Sequence, residues 1–205
     1  DAAGSFSRDS WAAYVDLEAD VTSRLTLGAA LRAEDYSDFG STSDWKLSGR
    51  FEVSDGLAFR ASVNTGFRAP TPGQANVKEI ATNIDLVTGD LQLTATLPPV
   101  DPISQYFGSQ PLETEESLNY SAGIVAQFLD GYTLTVDLFN IEVENRIALT
   151  SRIPITADDR TALEAIGLDP GSFRTVRFLG NFFDTETKGV DIVLSKTWAI
   201  NGGTL

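Results

Sequence analysis

The sequence predicts an all-β chain, an antiparallel up-and-down meander of about seven strands that forms part of a transmembrane β-barrel, with long extracellular loops and one short loop helix. Three observations carry this. Apolar and polar residues alternate with a period of two over stretches of roughly ten residues or more, long enough for a tilted crossing of about 25–30 Å of hydrocarbon. Every second connection is tight and the others grow long, a sorting by side that outer-membrane barrels show and a soluble sandwich has no reason to show. The apolar positions carry no Lys, Arg, Asp or Glu through the middle of each stretch, as lipid demands.

The first stretch sets Trp11, Ala13, Val15, Leu17, Ala19 and Val21 against Tyr14, Asp16, Glu18 and Asp20. After a turn at Thr22-Ser23, Leu25, Leu27, Ala29, Leu31 and Ala33 alternate with Arg24, Thr26, Gly28, Arg32 and Glu34, which completes a hairpin. A medium connection over 35–43 leads to Trp45, Leu47, Gly49, Phe51 and Val53, opposed by Lys46, Ser48, Arg50 and Glu52. Ser54-Asp55-Gly56 is a strong turn signal, and Leu57, Phe59, Ala61 and Val63 return against Arg60, Ser62 and Asn64.

A long connection over 69–115 comes next, whose prolines (70, 72, 98, 99, 102 and 111) forbid a regular element across it. Leu118, Tyr120, Ala122, Ile124, Ala126 and Phe128 then alternate with Asn119, Ser121, Gly123 and Gln127 up to Asp130-Gly131. Tyr132, Leu134, Val136 and Leu138 return opposite Thr133, Thr135 and Asp137. The second long connection, 149–183, holds one short surface helix between a Thr156 N-cap and Gly167, with Asp159 three residues after the cap. Val190, Ile192 and Leu194 make the last strand, running to Trp198 and a turn at Asn201-Gly202-Gly203.

Trp11 and Trp45 lie at long-loop ends and Phe128, Tyr132 and Trp198 at tight-turn ends, as two aromatic girdles would. The four cations Arg32, Lys46, Arg50 and Arg60 fall on the polar face, which a lumen accommodates, and are expected to form ion pairs along its wall. No run of about 18 apolar residues occurs, which excludes a transmembrane helix and leaves a barrel untouched.

Composition narrows the chemistry. Fifteen Lys plus Arg against 29 Asp plus Glu give a net charge of −14, which argues against a phosphate-binding surface and a nucleic-acid partner. There is no Cys and no His, so cysteine nucleophiles, thiolate zinc, Fe–S clusters and the commonest metal ligand and general base are all missing. Asp158-Asp159 and Glu115-Glu116 are the remaining paired carboxylates. The first sits in a helix N-terminal turn, where the dipole explains it. No nucleophile has a base and an orienting group, so no enzyme activity and no cofactor are expected. Glu79, Asp85, Asp90, Asp101, Glu113, Glu115 and Glu116 match no calcium-loop spacing and are expected to be a solvated acidic surface, with no metal site. Asp1 as first residue and the lack of Met read as an internal or processed segment.

Four stretches carry a family resemblance. Ala61-Ser62-Val63-Asn64-Thr65-Gly66-Phe67-Arg68-Ala69-Pro70-Thr71 resembles the "S-x-G-F-R-A-P" stretch of TonB-dependent outer-membrane receptors, at the end of a barrel strand. Leu27 to Tyr36 resembles their "L-x-x-G-x-R-x-E-x-Y" strand, Glu116 to Gly123 their "E-x-S-x-N-Y-x-x-G" strand and Asn181 to Leu194 their "N-x-x-D-T-x-T-x-G-V-D-I-x-L" strand, in the family's order. The resemblance implies the C-terminal part of a 22-stranded barrel in the bacterial outer membrane, occluded by an N-terminal plug and importing a scarce nutrient with energy from a TonB complex. Residues 1–205 would then be a partial barrel of about seven strands, with the plug, the TonB-contacting motif and the final strands absent from them.

Its implied partners are a small-molecule nutrient, the protein's own plug, the TonB complex and outer-membrane lipid. Arg68, Gln74, Lys78 and Tyr106 are the candidates for the ligand vestibule. Phe67-Arg68-Ala69-Pro70 also resembles the motif of haem receptors, but Thr71-Pro72-Gly73-Gln74 departs from the Asn-Pro continuation found in those receptors, and no His is present to ligate iron. Siderophore-iron, cobalamin and carbohydrate stay open. Two other readings stand beside this one: a small porin-like barrel, and a secreted soluble β-sheet domain that binds carbohydrate or acts as an adhesin.

Overall fold

The computed structural model describes residues 4–84, 89–129, 131–200 and 203–204. Strands β1 (Ser10–Thr22), β2 (Leu25–Tyr36), β3 (Gly40–Ser54) and β4 (Leu57–Arg68) come first. Helix α1 (Pro72–Asn76), strands β5 (Glu79–Ile84) and β6 (Leu91–Thr96) and helix α2 (Pro102–Tyr106) fill the first long connection. Strands β7 (Glu115–Phe128) and β8 (Tyr132–Leu149) come after it, then β9 (Ile153–Pro154), helix α3 (Ala157–Ala165) and β10 (Phe173–Arg177). The chain continues through β11 (Leu179–Lys196), β12 (Ala199–Ile200) and β13 (Gly203–Thr204). It divides into two compact units: Ser10–Phe67, Glu116–Glu144 and Asp184–Leu205 form one; Asp1–Asp9, Arg68–Glu115 and Asn145–Phe183 form the other.

In the first unit the sheet has seven strands in the order β1-β2-β3-β4-β7-β8-β11, each next to its neighbour in the meander. The first four strands pair antiparallel: Leu17 opposes Ala29, Ala29 opposes Leu47 and Leu47 opposes Val63. Register keeps the two faces distinct, because a residue's partner across the ladder points the same way. Leu27, Ala29, Leu47, Phe59, Ala122, Ile124 and Val136 share the apolar face, and Ile192 alternates with its own strand in the same sense. Arg32, Lys46, Arg50 and Arg60 share the other. Leu31, Leu47, Leu138 and Ile192 are all exposed on the isolated sheet.

The tight turns are tied sideways as well. Gln127 N donates to Gly56 O at 2.6 Å and Thr197 N to Gly131 O at 2.8 Å. A Cβ at Gly56 would stand 2.7 Å from the Gln127 carbonyl oxygen, and one at Gly131 2.4 Å from that of Thr197. Gly131 also has φ +82°, so both backbone conformation and close approach require glycine there.

The second unit corrects two expectations. The meander of tight turns predicts a single antiparallel sheet with no parallel pair. Instead β5-β6-β10-β9 form a second, four-stranded sheet in which β10 runs parallel to β6. A parallel pair needs a long crossover. Here the crossover runs through α2, β7, β8, β9 and α3, so strands from two loops that β7 and β8 separate in sequence lie side by side. The prolines do not forbid regular structure either. Pro72 and Pro102 open helices α1 and α2, where the missing N–H costs nothing. Pro154 sits on β9, an edge strand.

The connections are also shorter than expected. β2 and β3 pair as far as Tyr36 and Gly40, which leaves three residues between them, because Ser41, Thr42 and Ser43 keep the strand period past the last apolar position. β11 begins at Leu179 rather than after 183. The helix expected after Thr156 is present as α3, with a reciprocal capping box between Thr156 and Asp159 and Gly167 at φ +81°. Asp85, Asp130 and the turn residues Asn201-Gly202 lie outside the described residues.

A buried apolar core holds the small sheet together. Ala95, Leu97, Ile155 and Val176 are buried, with Ile103, Phe107, Ile153 and Phe173 packed against them. Two of these strands belong to different loops, so burial of Val176 on Ala95 joins the loops into one unit. The Thr94 and Thr175 hydroxyls, 2.8 Å apart, add a polar link beside it.

Candidate functional site

The residues singled out by sequence for ligand capture all lie in the second unit. Arg68 is the last residue of β4, and its Nη2 donates to Glu115 Oε1 at 2.6 Å. The same oxygen accepts from the Ile147 N–H at 2.7 Å. The Glu115 side chain is only 5% exposed, against 58% for Arg68. A buried carboxylate with an arginine and a backbone amide on one oxygen is a fastener for three strands: the end of β4, the start of β7 and the outer part of β8.

This corrects the placing of Glu115 in a solvated acidic surface. The "E-x-S" spacing in fact fits Glu115-Glu116-Ser117, one residue earlier than the stretch starting at Glu116. Among the described residues no group of three or more acidic side chains gathers to hold a metal ion.

A second fastener stands beside it. Asn181 Nδ2 donates to Glu113 O at 3.1 Å and to Asn145 O at 2.5 Å, while its Oδ1 accepts from Glu113 N at 2.9 Å. Asn145 has φ +56°, a left-handed conformation that Asn tolerates better than most residues. Asn181 opens the "N-x-x-D-T" stretch, and its side chain imitates a peptide group to hold the end of the first loop. Arg8 Nη2 donates to Pro70 O, which brings the start of the chain to the same junction.

Gln74 is occupied by local structure. It is the third residue of α1 and completes a capping box with Thr71, its Oε1 accepting from Thr71 N at 2.9 Å. Lys78 lies between α1 and β5, with no hydrogen-bond or ion-pair partner for its side chain among the described residues. The Tyr106 hydroxyl donates to Asp159 Oδ1 at 3.1 Å, and this bond connects α2 in the first loop with α3 in the second. Desolvation pushes the Tyr106 phenol up, and its bond to Asp159 adds to this. Asp159 is held below the usual carboxylate range, chiefly by the Thr156 hydroxyl, then by the Thr156 N–H and by Tyr106.

In the seven-stranded sheet, three of the four polar-face cations are paired. Arg32 binds Glu34, which also accepts from the Tyr36 hydroxyl. Arg50 Nη1 lies 2.5 Å from Glu52 Oε1. Arg60 spans β4 to β8 with a two-pronged grip on Asp137, its Nε donating to Oδ1 at 2.9 Å. Lys46 makes no ion pair among the described residues. Sequence reasoning misses the glycine that makes the Arg60–Asp137 grip possible. A Cβ on Gly123 would fall 2.0 Å from Asp137 Oδ1.

At the loop end of β2 and β4, Phe67 meets Tyr36 edge-on at 5.9 Å, and Tyr36 stacks on Phe39 at 4.4 Å. The Phe and Arg of the Phe67-Arg68-Ala69-Pro70 stretch therefore both serve local packing here: the ring joins an aromatic trio and the guanidinium holds Glu115.

A family model for the β-barrel of TonB-dependent receptors matches residues 1–204. Among solved structures, the siderophore receptor PirA from Pseudomonas aeruginosa is similar, with a TM-score of 0.68 and 18% identity over 95% of this chain and 32% of that one. The ferric enterobactin receptor PfeA from Pseudomonas aeruginosa, solved as a mutant with enterobactin, gives 0.66 and 14% over 96% of this chain and 25% of that one. The RagAB peptide importer gives 0.60 and 14% over 94% and 20%. The chain thus spans a third or less of each of these proteins, and at such identities the likeness is one of fold.

Proposed function

The chain belongs to the TonB-dependent receptor β-barrel family of the outer membrane, and we propose that it forms part of the wall and extracellular vestibule of an active nutrient importer. The observation that carries this is the pairing of a two-faced, seven-stranded meander with loops that fold into a unit of their own. A wall segment explains the meander. A loop that merely joined two strands would need neither a second sheet nor a buried core, and ordered loops of this size are usually functional. Family membership in the outer membrane replaces the reading as a secreted soluble domain.

In this reading the apolar face meets lipid and the face bearing Arg32, Lys46, Arg50 and Arg60 lines the lumen of a 22-stranded barrel. The plug and the TonB complex are partners of the whole receptor, reached through parts other than these residues. Siderophore-bound iron is the favoured cargo over cobalamin and carbohydrate, since two of the similar structures are named for siderophore or ferric enterobactin receptors. In the vestibule, the Lys78 ammonium and the exposed ring of Tyr106 are left for a ligand, while Arg68, Gln74 and the Tyr106 hydroxyl hold structure.

The test uses the full receptor in cells lacking their own copy. Uptake is measured for ferric siderophores, cobalamin and maltodextrins, with and without a working TonB complex. TonB-dependent uptake of a ferric siderophore alone supports the proposal; uptake of one of the others reassigns the cargo, and uptake of none defeats the importer reading. A deletion of 78–110 would strip β5, β6 and α2 from the loop unit. Lys78→Ala with Tyr106→Ala is therefore the milder probe of ligand capture, and unchanged affinity in that pair removes the vestibule role.

A further inference from the structure

The tight-turn end of β8 and β11 carries a lysine where the strand pattern calls for an apolar residue. Lys196 alternates in step with Val190, Ile192 and Leu194, so its Cβ leaves the backbone on the apolar face. Its Nζ lies over the Tyr132 ring at 4.1 Å from the centroid and 5.8 Å from that of Trp198. Tyr132 in turn stacks on Phe128, 6.0 Å apart and 12° from parallel.

The arrangement is braced by backbone. Thr197 N donates to Gly131 O at 2.8 Å, which fixes the end of β11 against the turn before Tyr132. No carboxylate among the described residues lies within ion-pair distance of Lys196. The other lysine in step with it on this strand, Lys188, is paired with Glu186 at 2.5 Å.

A cation on a lipid-facing wall needs an anion or water, and the aromatic faces supply only part of what its hydration shell would. At the interfacial level of a bilayer the available anion is the lipid phosphate, and the Tyr132 and Trp198 rings beside the ammonium match the amphipathic layer in which Trp and Tyr settle. We propose that Lys196, Tyr132 and Trp198 form a binding site for the phosphate of an anionic phospholipid in the inner leaflet, whose acyl chains lie along the apolar face. This rests on the proposed lipid-facing orientation of that face.

The test uses the full-length receptor in non-ionic detergent, with bound lipid counted by native mass spectrometry. Phosphatidylglycerol is titrated in. Dioleoylglycerol supplies the chains without phosphate, and inorganic phosphate supplies the anion without chains. The expected result is a retained phosphatidylglycerol whose apparent Kd rises about five-fold in Lys196→Gln and stays unchanged in Lys188→Gln. Lys196→Arg keeps the lipid, which guards against a folding artefact. Equal retention by wild type and Lys196→Gln overturns the site, and so does displacement by millimolar inorganic phosphate alone.

A spin label at Ile192→Cys separates the two claims. If the label is not exposed to membrane-dissolved oxygen, the lipid-facing reading fails and the site with it. If it is exposed and Lys196→Gln still retains the lipid, only the site fails.

Discussion

Gly123 and Asp137 sit directly opposite each other on β7 and β8, and the carboxylate of one fills the space that a side chain on the other would occupy. The vacancy lets Asp137 lie flat enough to take both prongs of Arg60 from β4. Gly123→Ala is therefore expected to cost about 1–3 kcal/mol of barrel stability, as overpacking does. Adding Asp137→Ala should relieve only part of that, since the Val136 carbonyl oxygen would still be 2.9 Å from the new Cβ. Urea unfolding of the full receptor from lipid vesicles, run as a double-mutant cycle, measures the coupling.

Ile124 and Ser121 lie on opposite faces of the same strand; Ile124 opposes Val136 and Ser121 shares a hydroxyl contact of 2.8 Å with Ser62. In the full receptor Ile124→Arg should cost about 2–4 kcal/mol, and Ser121→Arg much less. Equal costs in the same vesicle assay would remove the lipid-facing assignment.

Arg68 and Glu115 predict an asymmetry. Arg68→Ala leaves a buried carboxylate held by the Ile147 amide alone, whereas Arg68→Ala with Glu115→Gln removes the charge and keeps an acceptor for that amide. The single change should cost more than the double, by about 1 kcal/mol after allowing for the exposure of Arg68. Hydrogen exchange at Ile147 should rise in the single variant and return towards the parent in the double.

The joined loops predict an effect at a distance. Val176 and Ala95 are fully buried against each other's strands. Val176→Asp in the second loop should raise hydrogen exchange across residues 91–96 in the first, with the seven-stranded sheet unaffected. Exchange confined to the second loop would show that the loops are independent.

The bond between Tyr106 and Asp159 predicts a pH window. The Asp159 pKa is lowered in the folded loop, so its contribution is present above the ordinary carboxylate pKa and is lost as pH falls through the folded value. The Tyr106 pKa is raised, so its contribution is present below the ordinary phenol pKa and is lost as pH rises through the folded value. Proteolysis of the α2–α3 region should thus be slowest between roughly pH 5 and 9, and Asp159→Asn should flatten the acid limb. An unchanged acid limb in that variant would place its origin elsewhere.

The seven-stranded sheet is legible in the sequence because its signals are local. A period of two and a turn residue lie within one hairpin, as at Asp55-Gly56, and the capping box that marks α3 spans four residues. The small sheet is illegible for the opposite reason. β6 and β10 are short, and neither makes sense without a partner some 80 residues away. Proline counts against structure in the first loop because its position within an element cannot be seen in composition. Glu115 looks like one acid among many, although its spacing to Ser117 marks it. Lys196 breaks the alternation in plain view, but at a strand end a polar residue draws no notice without its aromatic neighbours from across the turn.

That parallel pair between β6 and β10 also sets an order of assembly. The hairpins β1–β2, β2–β3, β3–β4 and β7–β8 each close over a few residues, so their loop entropy is small, but the β6–β10 ladder joins positions 81 apart in sequence at Thr94 and Thr175. The two segments meet only after β7 and β8 have been laid down between them. The nascent chain therefore carries its first loop with an unpaired strand edge until the second loop arrives, and that interval is when it most needs shielding from other chains.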